Sequence, residues 1–193
     1  MLPERQTLLS QDIGSCQNRA ELMGSWSRAA REYDLDYVTL AAAPTTQDKA
    51  LGPLVRETTL PAEYCREFDR HEFLRHCPTI PHISRSIMHN VWTIGADGKS
   101  PTFDCPPEFA ALMFKYRLIS GILFSMNSVD GSRFVVRYDG DRGPLTMSEV
   151  NELSMLSIQA FDVFDRLRRT ASNTNVLSAR ELEVVRWTAQ GKT

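Results

Sequence analysis

The 193 residues contain no apolar run approaching the ~20 that a membrane-spanning helix needs, so no membrane partner is expected. The opening MLPERQTLLSQD has no basic segment followed by an apolar stretch, which argues against export and makes the expected location cytoplasmic. Cysteine is scarce. Cys16, Cys65, Cys77 and Cys105 lie far apart with no C-x-x-C pair, as expected of reduced, packing thiols. No Gly-rich phosphate loop occurs, and ten Gly and ten Pro are ordinary usage, which excludes a low-complexity linker. Charge of one sign is not in excess. Lys and Arg total 22 against 24 Asp and Glu, a net −2, so the chain is no polycation wrapped around DNA. What is present, 42% hydrophobic and 24% charged residues, describes a folded globular chain. The charge is uneven: Arg166, Arg168, Arg169, Arg180, Arg186 and Lys192 outweigh Glu181 and Glu183 after residue 165. An anionic partner would be met at that basic C-terminal end.

Periodicity gives the elements. Gln17–Tyr33 reads as a helix whose stripe is Leu22, Trp26, Ala29, Ala30 and Tyr33. Trp26 and Tyr33 are expected in a core or dimer face. Leu35–Ala42 and the weaker Leu54–Thr59 read as strands, and Pro61 opens a helix to about Glu72. Pro78 and Pro81 break the chain. Val91–Ile94 reads as a short strand closed by Gly95 and the Asp97-Gly98 turn signal. A helix follows from Pro106-Pro107 to about Arg117. Ile119–Met126 and Ser132–Tyr138 flank Asp130-Gly131, a hairpin signal. Thr146-x-x-Glu149 is a capping box that opens the longest helix, with Val150, Leu153, Leu156, Phe161, Phe164 and Leu167 inward. About five strands and four helices with short connections predict an α/β/α sandwich around a five-stranded antiparallel sheet. Thr170–Asn175 is the polar linker, and Ser178-x-x-Glu181 is a second capping box.

The tail Val176–Thr193, VLSARELEVVRWTAQGKT, resembles the opening of a LuxR-type helix-turn-helix, commonly L-[ST]-x-R-E-x-E-V-L-x-W-x-A-x-G-K-[ST]. Ser178, Arg180, Lys192 and Thr193 are among the matching positions. Residues 17–168 resemble the autoinducer-binding domain of quorum-sensing LuxR regulators. LPAEYCREFDRHEFLRHCP (Leu60 to Pro78) is similar to that family's Y-P-x-x-W-x-x-x-Y-x-x-x-x-Y-x-x-x-D-P. The resemblance implies a 1–170 ligand-binding and dimerisation domain, a 171–175 linker, and an incomplete helix-turn-helix at 176–193. It also implies a pocket lined by Leu60, Tyr64, Phe68, Phe73, Cys77, Trp92 and Gly121.

Three departures bear on the ligand. Tyr64 stands where the family has a tryptophan that donates to the lactone carbonyl. Leu60 replaces the tyrosine that bonds the acyl carbonyl. Cys77 replaces the aspartate that accepts the amide N–H, an exchange worth roughly 1.5–3 kcal/mol, or about tenfold to hundredfold in affinity. The implied ligand is therefore a small hydrophobic signal, an acyl-homoserine lactone or a different molecule. Arg137 alternates with Phe134, Val136 and Tyr138, which favours an exposed strand arginine. The alternative is entry into the pocket to meet an acidic ligand.

His71, His76, His82 and His89 cluster near Cys65 and Cys77, but no spacing matches a recognised zinc motif. No metal, no cofactor and no catalytic residue is expected. The remaining alternatives are a Cys/His-based metal or redox sensor and a truncated anti-activator that heterodimerises with a full-length regulator. As a regulator the chain would form a homodimer, or a heterodimer with a relative, and only a form with the complete helix-turn-helix would read promoter DNA.

Overall fold

The computed structural model describes residues 2–77, 79–94, 105–173, 184, 187 and 188. Over residues 2–173 the described elements follow in the order α1 Leu2–Gly14, α2 Arg19–Arg31, β1 Tyr37–Ala42, β2 Val55–Thr58, α3 Ala62–Arg70, α4 Thr79–Arg85, β3 Asn90–Thr93, α5 Pro107–Lys115, β4 Ser120–Asn127, β5 Arg133–Gly140 and α6 Met147–Asn173. Short 3-10 turns at Gly52–Leu54 and Phe73–His76 complete them. The strands form one sheet ordered β2-β1-β5-β4-β3, every pair antiparallel. The expected five-stranded antiparallel α/β/α architecture is what forms.

The expected elements appear with shifted ends, and four segments were not foreseen: α1, the Gly52–Leu54 and Phe73–His76 turns, and α4, which runs through Pro81. α6 continues to Asn173, so the start of the expected 171–175 linker is helix. The Gly95 and Asp97-Gly98 turn, and Ser178, Arg180, Lys192 and Thr193 of the tail, lie outside the described residues. Val184 and Trp187 are helical and exposed.

Local chemistry explains the boundaries. Thr146 and Glu149 make the reciprocal capping bonds, Thr146 N to Glu149 Oε2 at 2.7 Å and Glu149 N to Thr146 Oγ1 at 3.3 Å. Gly131, at φ 85°, turns the β4–β5 hairpin with the left-handed backbone that glycine tolerates. Asp34 and Arg117, at φ 54° and 59°, terminate α2 and α5. There the following N–H, of Leu35 or Leu118, reaches back to Ala30 O or Met113 O. Both leucines are fully buried, so a Schellman-type stop is stabilised by an apolar contact rather than by glycine.

Each face of the sheet is covered. Val38, Leu40, Ile122, Phe124, Val136 and Tyr138 face α1, α2 and α6 and build the larger core. A one-way hydrogen-bond chain crosses it. Trp26 Nε1 donates to Tyr138 Oη at 2.6 Å, Tyr138 to Ser157 Oγ at 2.8 Å, and Ser157 to Leu153 O at 2.6 Å. Burial pushes the Tyr138 phenol up to about 12. Tyr33, in the turn that follows α2, donates to Glu152 Oε2 at 2.8 Å, and Arg5 of α1 pairs with the same oxygen at 3.2 Å, tying that turn and α1 to α6. Trp26 and Tyr33 are thus core residues. The opposite face carries Ala41, Leu123, Val135 and Trp92 against α3, α4 and α5.

Candidate functional site

The site lies on that second face, between the sheet and the segment from Leu51 to Ile83. Strand register lays out its floor. Arg137 on β5 stands opposite Thr39 on β1 and Leu123 on β4. One row along, Asp139 stands opposite Tyr37 and Gly121, and Gly121 opposite Trp92. Alternation puts residues 135, 137 and 139 on one face, away from Phe134, Val136 and Tyr138.

A cavity of about 50 Å³ sits above this floor. Ala41, Leu123 and Val135 form its base, Leu60, Tyr64 and Phe68 one wall, and Leu74, Cys77, Ile80 and Ile83 the cover. That is room for a few waters, against the roughly 300–1,000 Å³ of most small-molecule pockets. A shallower depression outside it, lined by residues 45–49, Arg75, His76 and Pro81, shares Cys77 and Ile80 with the cavity. Cys77 and Ile80 stand between the two. α4 has seven residues and is tied to the sheet by Arg133 Nη2 donating to Ile83 O at 2.7 Å.

Five sequence-predicted pocket residues meet at the cavity: Leu60, Tyr64, Phe68, Cys77 and Arg137. Arg137 corrects the expectation of an exposed strand arginine. Alternation does turn it away from the Phe134 face, but that second face is itself covered, so the side chain is only 15% exposed. Phe73, Trp92 and Gly121 do not line the cavity. All three are set behind its wall: Phe73 packs edge-on against Phe68 at 5.9 Å, and Trp92 lies 4.9 Å beneath the Arg137 guanidinium. Gly121 makes space for the facing backbone oxygen of Tyr138, which a Cβ there would overlap, and for that indole, whose Cζ2 the Cβ would approach to 2.6 Å. Gly121→Ala is therefore expected to cost about 1–3 kcal/mol by overpacking. A fall in urea midpoint with an altered indole emission checks this; an unchanged midpoint would refute the close packing.

Few polar groups line the cavity. Arg137 Nε and Nη2 both approach Asp139 Oδ1 at 2.6 Å, and Asp139 is fully buried. Asp139 Oδ2 and the two N–H groups of Arg137 Nη1 meet no partner among the described residues. Burial works against the charge of Arg137, and the facing carboxylate more than offsets it, holding the guanidinium firmly protonated. Burial raises the Asp139 carboxyl above the usual carboxylate range while Arg137 pulls it back. Burial also raises the Tyr64 phenol, whose hydroxyl has only the weak acceptor Met113 Sδ at 3.4 Å. Cys77 Sγ lies 3.1 Å from Thr79 Oγ1. The arrangement can hold an apolar group against the sheet and offer donors at one end. Asp139 and its role escaped sequence reading, although the i, i+2 spacing Arg137-x-Asp139 on a strand was a signal for it.

The histidines do not converge. His71 stacks on Phe73, His82 Nε2 bonds Met88 O at 2.8 Å, and His89 lies near Phe124. Among the described residues no group of His, Cys, Asp and Glu is placed to hold a metal ion, and no helix is long and apolar enough to cross a membrane.

The autoinducer-binding domain family matches residues 18–164. No curated protein matches the chain in sequence. Among solved structures, the N-acylhomoserine lactone dependent LuxR family transcription factor CepR2 from Burkholderia cenocepacia aligns with a TM-score of 0.65 at 12% identity, over 88% of this chain and 98% of its own. Escherichia coli SdiA aligns with a TM-score of 0.64 at 18% identity, over 100% of this chain and 80% of its own. SdiA in complex with octanoyl-rac-glycerol gives 0.65 at 17%, over 100% and 78%. At such identities the likeness is one of fold.

Proposed function

This chain belongs to the autoinducer-binding domain family, and from that premise we propose that it senses a small, mostly apolar acylated molecule in the cavity beneath α4. The observation that carries the reading is the cavity itself: an apolar space against the sheet with one charged side chain, Arg137, in its wall. CepR2 is described as N-acylhomoserine lactone dependent, and SdiA was solved with octanoyl-rac-glycerol. Both ligands join an acyl tail to an uncharged head, a chemistry that suits this wall. A C8 tail exceeds 50 Å³, so binding must displace part of the cover. α4 supplies Ile80 and Ile83 to that cover, and its movement would merge the cavity with the outer depression.

The signal would act by population shift, the ligand favouring the state in which the cover is re-packed around it. α6 carries that state toward residues 176–193, which resemble the start of a helix-turn-helix; in a regulator, dimerisation and promoter binding would follow. A truncated regulator that pairs with a full-length relative would use the same cavity.

The test uses the 193-residue chain with 1-octanoyl-glycerol and N-octanoyl-homoserine lactone. Saturable heat of binding and a raised melting temperature are expected, about 2.7 kcal/mol of added stability at a hundredfold excess over Kd. Ala41→Leu puts a larger side chain into the cavity and should abolish both effects while leaving the fold intact. The reading fails if neither probe binds, or if Ala41→Leu binds as well as the parent.

A further inference from the structure

We propose that Arg137 is the head-group anchor of this cavity, donating through Nη1 to a carbonyl oxygen, and that its pairing with Asp139 selects uncharged heads over carboxylates. The inference deepens the acyl-ligand reading and rests on it. It also departs from the alternative raised for this residue in the sequence, which was entry into the pocket to meet an acidic ligand.

The geometry defines what Arg137 can offer. Nε and Nη2 are spent on one oxygen, Asp139 Oδ1, at 2.6 Å. The second Nη2 hydrogen has only Met113 Sδ, at 4.0 Å. Both hydrogens of Nη1 remain without an acceptor among the described residues. The plane is held from below by Trp92 at 4.9 Å, and the indole packs directly against Gly121, where a side chain would not fit. An arginine so fixed loses little freedom when it donates, so it is preorganised for a planar acceptor.

Charge then decides the acceptor. Arg137 and Asp139 sum to zero, and the carboxylate already has one buried oxygen, Oδ2, with no donor among the described residues. Among the described residues no further cation lines the cavity. A ligand carboxylate would add an uncompensated negative charge next to an under-solvated one. A neutral carbonyl takes the Nη1 hydrogens without that penalty. The hydroxyls of Tyr64 and Thr39, which line the same space, can serve an ester or amide as well but cannot neutralise an anion.

Calorimetry with three probes of one tail length tests this: 1-octanoyl-glycerol, octanamide and sodium octanoate, each titrated into the 193-residue chain at neutral pH. The parent should bind the two neutral probes at least tenfold more tightly than octanoate. Arg137→Met alone strands a buried carboxylate and can fail to fold, so the informative variant is Arg137→Met with Asp139→Val. That variant should fold and bind 1-octanoyl-glycerol about tenfold to hundredfold more weakly, with the preference over octanoate lost or reduced. Octanoate binding as tightly as octanamide in the parent overturns the selection. Unchanged affinity in the double variant overturns the anchor, and if Ala41→Leu still blocks binding there, the cavity reading survives without it. Should no probe bind the parent, the cavity reading itself fails and the inference falls with it.

Discussion

Asp139→Val is expected to cost about 3–5 kcal/mol, because it leaves the Arg137 guanidinium in the wall of an apolar cavity with no counter-charge. In a chain of this size that corresponds to a melting temperature lower by about 6–20 °C. The same replacement together with Arg137→Met should return most of the loss, since removing both charges also removes both desolvation penalties. Equilibrium urea unfolding of the parent, the single variant and the pair measures it. A single variant within about 1 kcal/mol of the parent would mean that the guanidinium is hydrated through the cavity and that the pair is not a buried one. Arg137→Met alone carries a pH signature. With its partner gone, the Asp139 carboxyl, already raised by burial, rises further. A raised folded-state value contributes stability that is present at acid pH and lost as pH increases. The variant should lose about 1.4 kcal/mol per pH unit above the ordinary Asp value near ~4, until the folded carboxyl itself ionises.

The other face of the sheet predicts an equal loss by a different route. Trp26→Ala should destabilise the chain by about 3–5 kcal/mol, because Trp26 is 0% exposed and the space cannot be refilled by neighbours from three elements. Trp26→Phe keeps most of the volume and removes only the donor to Tyr138. Tyr138 retains its bond to Ser157, so the expected cost is near ~1 kcal/mol. The ratio of the two losses, read from urea midpoints and near-ultraviolet dichroism, separates packing from hydrogen bonding. Equal losses would show that the Trp26–Tyr138–Ser157 chain, not the indole volume, holds α2 and α6 to the sheet.

Much of the fold was legible because one physical rule, burial of an apolar stripe, acts locally and repeats. Leu22, Trp26, Ala29 and Ala30 share a helix face because of their spacing alone, Tyr33 continues the stripe into the turn after α2, and all are buried. The capping box at Thr146 and the Asp130-Gly131 turn were readable because their bonds lie within a few residues. Helix ends were less readable. Asp34, Glu72 and Arg117 adopt left-handed backbone without glycine, and only the buried leucines after two of them reveal why. α1 was missed because its docking depends on partners far along the chain, Arg5 on Glu152 above all.

The chain's own letters were enough for strand alternation, for the antiparallel sheet with helices on both faces, and for the resemblance to the autoinducer-binding domain family. They could not say which side of alternation is covered, and this is why Arg137 looked exposed. Nor could they say which pocket residues touch the cavity and which stand behind it. Tyr64 and Phe68 reach the space, while Phe73, Trp92 and Gly121 support its wall. Periodicity specifies a direction from the backbone. Whether that direction ends in solvent, in a cavity or against another ring depends on elements brought together from opposite ends of the sequence, and only packing supplies that.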